Sequence, residues 1–449
     1  MEVPSYLRPI EQVLNGISFE TTPLQNQSEK TSTSVKTSQK NLRFMLVSTH
    51  IQQYTGYSKI SNGILQELSK VPNLDLIHFG FQKHPQVPSD FRPYPSGVDV
   101  VDASSLETPL QQGFAYQNLM EVIRKKNPHV VMIYNDMAVV TRFLEEIRKA
   151  ALVPRPFKVW IYCDQVYDSQ HQAMIDILNR DSDRVFTFTS YWKKQLKEQG
   201  VTRPLSILGH GFDPKTFFTV PRELARKSIK LPDDAFVLMS LNRNQPRKRY
   251  DIMIMAFVEL VVKYPTKPIV LLCICDKGEK GGWWLFEIYV RELKKRGVPI
   301  EQFGNRLMIS SQDMAFKDED INILYNVADV GISTAEGEGW GLCTFEQMGV
   351  GVPQVVPDLG GYKEYCSSDT SMLVKPKHTY YLPSVYSPVG GEAHVCDPHD
   401  VCLAIEEYLN DSDKRRSHGK KAKEAILKYT WPEAVKGLVK ALAEEMEEI

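Results

Sequence analysis

The sequence lacks a paired set of cysteines. Its seven cysteines, at 163, 273, 275, 343, 366, 396 and 402, are odd in number and scattered. The one close pair, Cys273 and Cys275, lies inside an apolar run with no C-x-x-C or histidine cluster to match it. This argues against a disulfide framework and a zinc site. A long hydrophobic run is missing as well: nothing approaches the roughly 18 apolar residues of a membrane span. The polar segment after Met1 lacks the basic-then-apolar pattern of a secretory leader, so the expectation is a cytoplasmic protein with no transmembrane segment. Charge of one sign is not in excess either. A formal net charge of −1 with 24% charged residues gives no global attraction to a polyanion, and no nucleic-acid partner is expected.

What the chain does have is length and alternation. With 449 residues and 42% hydrophobic content it is globular and large enough for two domains. Residues 1–41 read as a disordered tail, because 26–40 is rich in Ser, Thr, Gln and Lys and has little apolar content to offset ordering entropy. Strand-like apolar runs then recur at 42–48, 74–79, 98–101, 130–134, 158–162, 184–188 and 205–208, with amphipathic stretches between several of them. A second series starts at 236–241 and continues through 268–275 and 306–310 to 330. Alternating strands and helices predict parallel sheets with ligands at the strands' carboxyl ends. The polar residues just past those ends are therefore candidates: His50, Asn135, Asp136, Asp164, Gln165 and Ser190. His210 reads as a hydrogen-bonded loop residue, Trp283 and Trp284 as packing residues on a helix, and 376–395 as an inserted surface excursion.

The stretch 330–364 organises the rest. A short apolar run leads into a loop containing Gly337, Gly339 and Gly341, followed by a stretch from 342 to 350 able to continue as a helix. Glycines admit close approach of a ligand, and a helix start offers unpaired N–H groups and positive dipole to an anion such as phosphate. Glu338 and Glu346 lie eight positions apart and could flank that anion. Carboxylates repel phosphate but accept well from sugar hydroxyls. A diphosphate with a sugar on either side describes a nucleotide-sugar. A second loop, 241–251, carries four cations in seven residues, Arg243, Arg247, Lys248 and Arg249, and would gather a diphosphate.

In register, Glu338 to Glu346, Gly351, Pro353 and Val355, and Gly360, Gly361 and Glu364 resemble the E-x7-E, G-x-P-x-V-like and G-G-x-x-E elements of family 4 retaining glycosyltransferases. The resemblance implies an α/β chain of GT-B architecture, two Rossmann-like domains with parallel sheets facing a cleft. The domains would be an acceptor-side unit, 42–218, a donor unit, 219–430, and a helix, 431–449, crossing back to the first. It implies a glycosyltransferase that moves a sugar from a nucleotide-sugar to a hydroxyl acceptor with retention of configuration. The expected chemistry rests on Glu338, Asp164, Arg243 and Lys248. Donor contacts fall to Gly56 in the loop 54–59, to Arg243 and Lys248 at the diphosphate, to Glu338 at the sugar, to Gly339, Trp340, Gly341, Leu342 and Cys343, and to Glu346 at the ribose. No metal, no Asp-x-Asp metal motif and no cofactor beyond the nucleotide-sugar co-substrate are expected. Asp164 stands where the family frequently has histidine, and Arg249 where it usually has glycine. A nucleotide-sugar epimerase or a non-catalytic nucleotide-sugar-binding subunit are the alternatives.

Overall fold

The computed structural model describes residues 41–88, 91–275, 281–310, 316–383, 387 and 389–448. Apart from Asn41, the expected tail 1–41 lies outside them, as does Ile449.

Seven strands make the first sheet: β1 (Leu42–Thr49), β2 (Leu74–Phe81), β3 (Asp99–Asp102), β4 (Val130–Asp136), β5 (Lys158–Asp164), β6 (Arg184–Thr187) and β7 (Leu205–Ile207). Their order is β3-β2-β1-β4-β5-β6-β7 and every pairing is parallel. Six more make the second: β8 (Phe236–Leu241), β9 (Ile269–Ile274), β10 (Leu307–Ile309), β11 (Val330–Ile332), β12 (Gln354–Pro357) and β13 (Ser371–Val374). They are again all parallel, in the order β10-β9-β8-β11-β12-β13. The central strands are covered on both faces, so they read as largely apolar runs; in β1 every residue but Arg43 is buried.

In each sheet the strand order reverses beside the first strand, between β1 and β4 and between β8 and β11. Ligand crevices open at the carboxyl ends of such switch points. The loop after β1 leads into the helix Gly56–Leu68, started by a capping box between Thr55 and Ser58. The loop after β8 leads into Tyr250–Lys263, a helix with nine buried residues.

The last helix, Trp431–Met446, packs on the Gly56–Leu68 helix of the first domain. A Cβ on Gly63 would lie 2.2 Å from the Trp431 ring, and one on Gly211 2.4 Å from it. One apolar core runs through both domains at this side, joining Trp192, Leu208 and Phe212 to Trp340, Phe345 and Tyr365.

The described part of 376–395, expected as a surface excursion, is ordered into secondary structure. It contains the hairpin strands β14 (His378–Tyr381) and β15 (Glu392–Val395), and the hairpin reaches the first domain. The Glu392 N–H donates to the Asp168 carbonyl at 2.9 Å, the His171 N–H to the Val389 carbonyl at 2.7 Å, and His394 pairs with Asp168 at 2.8 Å. Trp283 and Trp284 also differ from expectation. They precede the helix Leu285–Lys295, and Trp284 is exposed.

Candidate active site

The β8 loop and the β11 loop meet at one carboxylate. Glu338 is buried, its oxygen ion-paired with the buried Lys248 ammonium and 3.4 Å from the Arg247 guanidinium. Arg247 also donates to the Gly337 carbonyl at 3.1 Å. Burial works against the charge on Glu338, but Lys248 and Arg247 hold its carboxyl below the usual range. Burial and the neighbouring Arg247 push Lys248 below the usual lysine value, with Glu338 opposing. Two cations thus share one buried carboxylate.

The backbone supports this arrangement. Arg249 takes a left-handed conformation, φ 49°, where the resembled family has glycine. That costs on the order of 1 kcal/mol, offset by its guanidinium bonds to Asp251 at 2.9 and 3.0 Å and to Glu336 at 3.1 Å. Gly341, φ 85°, starts the helix Leu342–Gly349 with no side-chain cap. A Cβ there would meet the Tyr362 ring at 2.5 Å. The Tyr365 hydroxyl donates to the Trp340 and Gly341 carbonyls at 2.7 and 2.9 Å, fixing the loop from behind.

The first domain closes on the same loop. Asp164, at the end of β5, accepts from the Tyr57 hydroxyl at 2.6 Å. Its other oxygen is buried without a hydrogen-bond partner among the described residues. A Cβ on Gly339 would lie 2.0 Å from that oxygen. Burial pushes the Asp164 carboxyl up to about 6, with Tyr57 and Arg247 pulling it down. Trp192 donates its indole N–H to the Gly339 carbonyl at 2.8 Å, and Ser190 gives its N–H and hydroxyl to Glu364 at 3.0 and 2.8 Å. His210 packs on Trp340 with ring centroids 4.6 Å apart. Neither of its ring nitrogens has a hydrogen-bond partner among the described residues, which corrects the reading of a hydrogen-bonded loop residue, and burial lowers it to about 3.

Glu346 sits one turn into its helix and faces the first domain. Lys59 lies 2.9 and 3.1 Å from its two oxygens, and the Tyr325 hydroxyl donates to it at 2.8 Å. Gly56 comes close to the same helix start: a Cβ on it would sit 3.5 Å from the Leu342 side chain. Cys343 is half-buried, its thiol pushed up to about 11 by burial.

Of the residues expected from the sequence, Lys248, Glu338, Gly339, Trp340 and Gly341 come together, with Asp164 against them. Arg243 is exposed at the start of its loop, and the second cation at Glu338 is Arg247. Sequence reasoning missed Arg247, Lys59 and Glu336; only membership of the same basic loop marked the first. Glu336 is buried between Arg249 and Tyr380, whose hydroxyl donates to it at 2.5 Å.

The chain does spell Asp-x-Asp three times, at 181–183, 318–320 and 411–413, which corrects the expectation of none. Asp183 pairs with Arg155, Asp318 with Lys59 and Arg92, and Asp411 caps a helix. No group of three or more His, Cys, Asp or Glu suited to a metal occurs among the described residues. No helix among them is long and apolar enough to cross a membrane.

Two Rossmann-like parallel sheets facing one another across these loops define a GT-B fold. Within it, residues 221–380 match the family described as glycosyl transferases group 1. Among curated relatives, the D-inositol 3-phosphate glycosyltransferase 2 of Catenulispora acidiphila is 24% identical over 64% of this chain and 60% of its own length. The D-inositol 3-phosphate glycosyltransferase of Corynebacterium urealyticum is 26% identical over 48% of this chain and 45% of its own. The chain thus spans about half to three fifths of these relatives. Among solved structures, sucrose-phosphate synthase from Thermosynechococcus elongatus superposes with a TM-score of 0.67 at 16% identity, over 91% of this chain and all of that one. Anabaena HepE in complex with UDP and glucose gives 0.65 at 13%, over 90% of this chain and all of that one. The likeness to GT-B glycosyltransferases read from the sequence is borne out.

Proposed function

We propose that the chain transfers a sugar from a nucleotide diphosphate sugar to a hydroxyl acceptor, with retention and without a metal. The observation that carries this reading is the buried Lys248–Glu338–Arg247 group, set at an uncapped helix start and pressed against Asp164 of the other domain. In this reading Arg243, Lys248 and the N–H groups near Gly341, Leu342 and Cys343 hold the diphosphate. Glu338 takes the donor sugar, Glu346 the ribose, and Asp164 orients a hydroxyl of sugar or acceptor. The positive groups stabilise the leaving phosphate electrostatically. The bond from the anomeric carbon to phosphate oxygen breaks, the bond to the acceptor oxygen forms on the same face, and the leaving phosphate takes the acceptor's proton. A uridine nucleotide is the first donor to try, given the UDP in the HepE structure.

The cavity at the Lys59–Glu346 contact is about 80 Å³, against roughly 300–1,000 Å³ for ligand pockets in general. In this reading the donor enters with the domains apart at that contact, and chemistry follows their return. The test is calorimetric binding of UDP-, GDP- and ADP-sugars, followed by turnover with hydroxyl acceptors in the presence and absence of chelator. Donor consumption that needs acceptor and ignores the chelator supports the reading. Conversion of donor alone identifies an epimerase, and binding without turnover a silent subunit.

A further inference from the structure

Two helices start toward each other across the domain boundary. Gly56–Leu68 begins beside Leu342, and Leu342–Gly349 begins beside Gly56. One turn into the first stands Lys59; one turn into the second stands Glu346. Their side chains are only 17% and 6% exposed. Lys59 also lies 3.1 Å from Asp318, which Arg92 engages at 3.1 Å. Arg92 in turn donates to the Gln53 carbonyl at 3.1 Å and the Ser58 hydroxyl at 2.7 Å, so it is built into the loop that precedes Lys59.

This group of two cations and two carboxylates is neutral and closed on itself. Both oxygens of Glu346 are engaged, one by Lys59 and the other by Lys59 and Tyr325. A ribose diol could not add its hydroxyls there without displacing the ammonium. The ammonium is a compact charge on a flexible stem, and the uncapped start of the helix bearing Glu346 lies one turn away. It can therefore move from carboxylate to phosphate within the same crevice.

We infer that Lys59 is a nucleotide-responsive switch: in the empty molecule it occupies Glu346 in place of the ribose diol, and on loading it leaves that carboxylate for the diphosphate. The inference rests on the reading of Glu346 as the ribose acceptor. Donor loading and the domain contact then compete for one carboxylate, so the nucleoside alone binds poorly and the diphosphate, which rewards Lys59 for moving, binds well.

The experiment uses the full chain and whichever of UDP, GDP and ADP it binds, each compared by calorimetry with its own nucleoside. Lys59→Gln should tighten nucleoside binding about tenfold, the scale of one hydrogen bond to a charged group. It should also shrink the advantage of diphosphate over nucleoside by at least as much. Lys59→Arg keeps the charge and should keep that advantage, and melting curves of both variants report on folding. Equal weakening of nucleoside and diphosphate by Lys59→Gln, or no change in either, overturns the switch. Glu346→Gln separates the two claims: weaker nucleoside binding in this variant with no effect of Lys59→Gln sinks the switch alone. Unchanged nucleoside binding in Glu346→Gln removes the ribose role and the switch with it.

Discussion

Replacing Gly337 by alanine tests whether the observed domain contact is the one chemistry uses. An added Cβ would lie 2.4 Å from the Val166 carbonyl oxygen and 2.6 Å from the Tyr167 ring, whereas ordinary contact begins at 3.4 Å. The loop and the first domain must therefore separate by 3.4 − 2.4 = 1.0 Å. The obstacle at 2.4 Å is backbone, so no side-chain rotation relieves it. A misplacement of ~1 Å costs on the order of 10²-fold in rate, or about 2.7 kcal/mol of activation free energy. The clash is with the other domain, so neither sheet is disturbed and the melting temperature should stay within a few degrees. With nucleotide proposed to bind on the Glu338 side, its calorimetric affinity should change less than about threefold while kcat/KM for transfer falls ~100-fold. Transfer at the wild-type rate would refute the reasoning, and so would an affinity loss that accounts for the whole drop.

Glu346→Ala should weaken nucleotide binding by about 1.5–3 kcal/mol, the range for a hydrogen bond to a charged group; equal calorimetric affinities would take Glu346 out of the site. The transfer rate should fall on an acidic limb near pH 6, where burial has pushed the Asp164 carboxyl; Asp164→Asn should remove the limb and most turnover but leave nucleotide affinity nearly unchanged. A limb surviving in the variant would assign it to another group. Stability should fall in acid through His50 and His78, which burial lowers to about 4 and about 3. Unfolded, both bind protons below about 6.5, so the stabilisation is full above that pH and is lost as pH drops through 4 and 3, by on the order of a few kcal/mol. Urea midpoints at pH 7.5 and 4.5 measure it, and equal midpoints would contradict it.

Much of the fold was legible because its central strands are buried on both faces. The run 130–134 carries no polar interruption, and 42–48 is broken only by Arg43 before it ends at Ser48. The hairpin was not legible: the residues of His378–Tyr381 are all exposed, so no apolar alternation marks them. At the site, glycines and spacing pointed to the Glu338 loop because its backbone demands are local. Lys59 and Glu346 are 287 positions apart, and Tyr57 and Asp164 107 apart. Nothing in either neighbourhood announces such a partner. The resembled motif points to Arg243 and Lys248, whereas the contact of Arg247 with Glu338 spans 91 positions and has no local mark.

The helix Trp431–Met446 has a consequence for how the gene can be cut. It is encoded after both sheets, yet its leading tryptophan fills the space left by Gly63 and Gly211 on the first half. A coding sequence divided at the linker would yield an amino-terminal fragment missing part of its own wall, and a carboxyl-terminal fragment trailing a sticky apolar helix. The two halves are thus separate as architecture but not as heritable modules: a recombination that swapped the first would have to bring its matching Trp431–Met446 helix along.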